Sequence, residues 1–155
     1  MELLYRGTKD GSGANIFHNK CDNQGPTLCL IQNDKNNIFG GYASISWVSD
    51  NEGYKYANSS FLFTLTNIHD TAPTKFNNMN YPQYAVNHSS SSGPTFGGGH
   101  DIYVSDNYFN NNRSYCNFGH TYLDSLGKGK SIFTGDANNS NTKVNIKELE
   151  VFKLK

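Results

Sequence analysis

At 155 residues, with 13 Lys and Arg balancing 13 Asp and Glu, the chain suits one domain and has no net field to draw it to nucleic acid or anionic membrane. Charged residues are only 17% of it, so Asn, Ser, Thr and Gly supply the polar surface, and these favour turns and strands over helices. Ten Tyr and ten Phe suit half-buried pleated surfaces, and no apolar run approaches the ~20 residues of a membrane-spanning helix.

Leu3-Leu4-Tyr5-Arg6 predicts an opening strand, closed by turn residues from Gly7 to Gly13. Ala14, Phe17 and Cys21 fall at helical spacing, which predicts a helix between Ser12 and Asp22, with Ser12 as N-cap and Gly25-Pro26 as the stop. Thr27 to Ile31 is a strand-length apolar run, and after a turn at Asp34 to Asn37 a second strand runs from Ile38 to Trp47. Its alternation turns Ala43, Ile45 and Trp47 inward, and the two strands read as an antiparallel hairpin. Asp50 to Ser60 reads as polar loop, and Phe61 to Thr66 as the most strongly buried strand. Thr74-Lys75-Phe76 and Tyr84-Ala85-Val86 read as short strands, and Ser89 to Ser92 as a solvated loop tip.

Gly97-Gly98-Gly99 permit φ > 0 and close approach, and Asp101 to Val104 then reads as a strand with Ile102 and Val104 on one face. These glycines, like Gly40 and Gly41 earlier, are expected to serve the fold. They should let residues 101–104 pass closely against a neighbour, either the 12–22 helix or the 39–41 strand. Beyond an Asn-rich turn at 106–112, Tyr115 to Leu123 gives short strand material. The tail alternates in two registers, Val144 to Lys147 and Glu148 to Phe152, which predicts a final strand with a bulge near Lys147. The expected fold is mostly β: a two-sheet antiparallel β-sandwich with a few short peripheral helices, one domain over residues 1–155.

Little catalytic chemistry assembles. Asp124 to Ser131 ends like a phosphate loop, but its first position is Asp where the motif needs Gly, and Ile132 to Gly135 reads as a short strand instead of a helix. The glycine run at 97–99 also leads into a strand, so no nucleotide or other cofactor is expected. His18 and Cys21 lack a second ligand pair, and a core Cys beside an exposed His explains them better. Asp136-x-Asn138-x-Ser140 starts like a calcium loop but has Asn141 where Gly belongs and Lys147 where Glu belongs, so no metal is expected. Glu148 and Glu150 share a strand face as ordinary solvent-facing charges. Cys21, Cys29 and Cys116 are an odd set, and Met1 to Arg6 lacks the regions of a secretion signal, so a reducing, cytoplasmic setting is expected. Cys29 reads as buried and inert. Cys116, near His100 and His120, is the one redox candidate.

A series of motifs runs nearly end to end: Leu3-Leu4-Tyr5-Arg6-Gly7, Phe17-His18-x-x-Cys21-Asp22 with Gly25-Pro26-Thr27-Leu28, Phe39-Gly40-Gly41-Tyr42 with Ser46-Trp47, and Phe61-Leu62-Phe63. Gly97-Gly98-Gly99-His100-Asp101-Ile102-Tyr103, Asn117-x-Gly119-x-x-Tyr122 and Glu148 to Phe152 complete it. Together they resemble the TLDc domain of the oxidation resistance proteins, in the form typical of single-celled eukaryotes. The resemblance implies a β-sandwich that is carried in some members within longer multi-domain proteins. It also implies a role in oxidative stress resistance and binding to the vacuolar proton-pumping ATPase, which would place the chain beside endolysosomal or vacuolar membranes through a partner. The expectation is therefore a non-catalytic protein-interaction module, with His100, Asp101 and Asp106 as candidate binding residues. Two alternatives stand beside it: a thiol antioxidant using Cys116, and a carbohydrate or small-ligand binder using Asp101, Asp106 and Asn107 at a sheet edge.

Overall fold

A computed structural model of the chain describes residues 1–78 and 80–154. In chain order its elements are β1 (Glu2–Arg6), α1 (Gly7–Asp10), α2 (Ala14–Cys21), β2 (Thr27–Asn33), β3 (Ile38–Ala43), β4 (Gly53–Lys55) and β5 (Phe61–Thr66). Then come β6 (Thr74–Asn77), β7 (Val86–His88), β8 (Thr95–Phe96), β9 (Ile102–Tyr103), α3 (Ser131–Thr134) and β10 (Ile146–Lys153), with 3-10 turns at Pro82–Tyr84 and Tyr108–Asn110. The strands form two antiparallel sheets, a six-stranded one in the order β1-β10-β2-β3-β5-β6 and a four-stranded one in the order β4-β7-β8-β9.

The expected hairpin is β2 and β3, in register from Thr27↔Ala43 to Gln32↔Ile38. Alternation along β2 buries Thr27, Cys29, Ile31 and Asn33 and turns Leu28, Leu30 and Gln32 outward. The inner faces of the two sheets meet at Gly41, where a Cβ would lie 2.6 Å from the Phe96 ring. Trp47 caps this junction, edge-on to Phe96 at 5.4 Å, with its indole N–H donated to Thr27 Oγ1 at 2.9 Å. The bulge near Lys147 is present: β10 shifts register against β2 between Ile146 and Glu148.

Several local expectations are corrected. The turn at Gly7 begins with one helical turn, α1. Ser12 does not cap the next helix; Gly13 is its N-cap, and the Ala14 N–H donates instead to Asp106 Oδ1 at 2.8 Å. A cap from so distant a segment leaves no local signature. The loop at 50–60 contains β4, and the 3-10 turn at Pro82–Tyr84 moves the strand expected at Tyr84 forward to Val86. In place of the strand expected from Ile132 stands α3, which lays Phe133 on Phe39 with ring centroids 4.9 Å apart. Residues 115–123 do not form a strand; Tyr115 makes only isolated bridges, to Tyr103 and Lys143.

Candidate functional site

The glycine run is the turn between β8 and β9. His100 N–H donates to Gly97 O at 3.0 Å, and Gly97, Gly99 and His100 take φ of +87°, +73° and +65°. The neighbours that require glycine are neither the 12–22 helix nor the 39–41 strand. A Cβ on Gly97 would lie 2.1 Å from Asp101 Oδ1, and one on Gly98 would lie 2.9 Å from the His120 ring. The turn's amides are engaged, Gly97 N–H with Ala85 O (3.1 Å), Gly98 N–H with Thr121 Oγ1 (2.8 Å) and Gly99 N–H with Tyr54 OH (3.3 Å). The loop at 124–131 is closed in the same manner: the Asp124 carboxylate accepts from Gly127 N–H at 3.0 Å and Gly129 N–H at 2.8 Å. A phosphate would have to displace a carboxylate there.

Asp101 is fully buried rather than poised at an edge. Its carboxylate accepts the backbone N–H groups of Gly119 (3.2 Å), Thr121 (3.4 Å) and Tyr122 (3.2 Å). It thereby does for residues 119–122 what a neighbouring strand would have done, which is why alternating residues here make no ladder. Burial pushes its pKa up to about 6, against the pull of the same three hydrogen bonds. Asp106 lies apart from it, engaged with the start of α2. The Asp101 carboxylate is fully engaged in this arrangement, whereas Asp106 is exposed and gives one carboxylate oxygen to α2.

His100 belongs to a chain of rings on the surface around the turn. It stacks on Tyr103 (centroids 5.2 Å apart, 13° between planes), its Nδ1 lies 2.7 Å from Tyr115 OH, and Tyr54 stands 6.3 Å away. Tyr54 meets Tyr84 edge-on at 5.2 Å, and Tyr81 stacks on His120 at 4.6 Å and 10°. Partial burial pulls the His100 imidazole below its ordinary pKa. Tyr54, Tyr81 and Tyr84 remain 37–43% exposed. Sequence reasoning singled out His100 and missed these tyrosines, because they come from separate stretches with no common spacing.

Cys116 does not sit in the accessible polar neighbourhood expected of a redox thiol. It is buried, and burial, with the nearby Asp101 charge, raises its pKa well above the ordinary value. Burial raises Cys21 to about 12 and Cys29 well above the usual range. His18 is buried rather than exposed, with Asp22 at 2.7 Å from Nδ1 and the Ser89 and Ser92 carbonyls each at 2.9 Å from Nε2. Those contacts tie the serine loop to α2, and Ser92 is buried. Among the described residues, no group of three or more His, Cys, Asp or Glu is placed to hold a metal. Asp136 and Asn138 accept backbone N–H groups two residues on, as turn residues do.

Comparison with known proteins agrees with this architecture. A family model described as the TLDc domain matches residues 1–155, the whole chain. A search of curated proteins found no significant match. Among the described residues no helix is long and apolar enough to cross a membrane.

Proposed function

The chain belongs to the TLDc domain family, associated with oxidative stress resistance, and from that premise we propose that it is a non-catalytic protein-recognition module whose contact surface is the ring cluster of Tyr54, Tyr81, Tyr84, His100 and His120. One observation carries this reading: exposed tyrosines from β4 and from the Pro82–Tyr84 turn gather around a glycine turn whose amides are already tied to the fold. Such rings bring large contact area with few rotamers to freeze, and Tyr is enriched where binding energy concentrates. Asp101 is buried under three amides, and the thiols are buried with raised pKa values. The candidate partner, taken from the family, is a subunit of the vacuolar proton-pumping ATPase, so the protein would act beside that membrane in the cytoplasm.

Affinity capture from the source cell tests both levels. Recovery of pump subunits by the native chain, and their loss with Tyr81→Ala and Tyr84→Ala combined, is the expected outcome. Capture unaffected by those substitutions would move the contact surface elsewhere, and the absence of pump subunits would remove that partner. A second reading is favoured by the parallel Tyr81 and His120 rings, which could stack on a sugar face. A glycan array without hits would set it aside.

A further inference from the structure

The outward side of the six-stranded sheet has the wrong chemistry for a face that meets only water. Antiparallel sheets with one solvated side alternate apolar-in and polar-out. Here the outward positions of β2, β3 and β5 include Leu28, Leu30, Ile38, Tyr42, Phe61 and Phe63. The elements that bury the other side are already in place there, with Phe17 of α2 against Tyr5 and Trp47, and Phe133 of α3 against Phe39.

One row across this face has a particular order. Directly paired positions run Glu150, Leu30, Gly40, Phe63, Lys75, from β10 through β2, β3 and β5 to β6. Gly40 is the midpoint, and the Phe63 ring, 8% exposed, reaches over it, so that a Cβ there would lie 3.0 Å from the ring tip. Leu30 and Phe63 flank it one strand away, and opposite charges stand two strands away on either side. Lys75 is exposed, with Nζ 4.4 Å from the Phe61 ring centroid, and Glu150 is held by Arg6 at 2.6 Å.

We propose that two copies of this chain associate through this face, about a two-fold axis passing near Gly40. A closed dimer requires a self-complementary patch, in which each feature meets its counterpart after a half-turn. A half-turn about an axis parallel to the strands at Gly40 brings the two Phe63 rings together over the axis with Leu30 of each copy beside them, and sets Lys75 of each against the Arg6-paired Glu150 of the other. A patch charged alike on both flanks would repel its own copy. Six strands about 4.8 Å apart and about 17 Å long cover on the order of 500 Å² per copy, roughly 1,000 Å² in all, at the lower bound for a specific interface. Association should therefore depend on concentration.

Sedimentation velocity and light scattering on the full chain, across a concentration series, test this. The mass should rise from that of one copy towards that of two. Lys75→Glu and Glu150→Lys, each alone, should raise the midpoint concentration about tenfold or more, because each sets like charges together twice. An equimolar mixture of the two variants should restore the dimer, since both contacts then pair opposite charges. Leu28→Ser, on the same face away from both charges, should weaken association without touching the ion pairs, and it serves if Glu150→Lys fails to fold. A mass of one copy throughout, a dimer indifferent to Lys75→Glu and Leu28→Ser, or folded charge variants whose mixture does not dimerise would overturn the proposal.

Discussion

In the six-stranded sheet, β2 pairs along its length with β10 on one side and β3 on the other, so its backbone groups satisfy one another. In the four-stranded sheet, β8 and β9 have two residues each, and the segment beyond them is held by the side chain of Asp101. The first arrangement spreads its hydrogen bonds over many residues, none of which is individually required. The second concentrates several amides on one carboxylate, and the ring-bearing surface depends on it. Long ladders tolerate local change, whereas a short sheet completed by one side chain passes a local change into the surface it supports.

The sharpest way to break this contrast is Asp101→Ala. It leaves the buried amides of Thr121 and Tyr122 without an acceptor and should cost about 3 kcal/mol or more in denaturant unfolding. Leu30→Ala, at a half-buried outward position of β2, should cost roughly 1 kcal/mol. Equal losses for the two would erase the distinction. Next is Gly97→Ala, which combines a φ of +87° with a Cβ 2.1 Å from Asp101 Oδ1. It should lose about 2–3 kcal/mol, against about 1 kcal/mol for Gly127→Ala, where φ is also positive but space is open.

A pH series sharpens the same comparison. The pKa of Asp101 is raised by burial from 3.8 to about 6, so the folded state holds this proton more tightly than the unfolded state. Its contribution is complete below 3.8, declines as pH rises through about 6, and is then lost. The span is on the order of 3 kcal/mol, which Asp101→Asn should lack. A carboxyl carbon titrating near the ordinary carboxylate value would contradict it. The three buried thiols should resist a thiol-labelling reagent until denaturant is added, and rapid native labelling of Cys116 would reopen the redox reading. The smallest change in stability, within about 0.5 kcal/mol, belongs to Tyr81→Ala at an exposed ring, although partner capture should fall.

The six-stranded sheet was readable in the sequence because alternation is the same physical fact as its two faces. Alternation marked β3 and the two registers either side of the bulge at Lys147, while β2 and β5 were marked by strand-length apolar runs. The small sheet was legible only in β9 and at the start of β7, for reasons visible in particular residues. β4 is a three-residue strand in a polar stretch, and residues 115–123 carry strand-like aromatics whose backbone is engaged by Asp101 instead. The position of His100 at a turn was legible because the glycines mark it. The amide contacts of Asp101 and Asp106 were not legible, since their partners lie far away in sequence. The exposed tyrosines become neighbours only after both sheets have formed.

The chain's last strand is not at the sheet's edge. β10 lies between β1 and β2, pairing Glu2 with Lys153 and Leu30 with Glu150. Until residues 146–153 emerge from the ribosome, the six-stranded sheet is missing an interior strand, and β1 has no place to attach. Closure must wait for nearly the whole domain to be synthesised, and such long-range pairing folds slowly. The newborn chain would meanwhile expose β2 as an open edge, a period when chaperones rather than partners would be its first contacts.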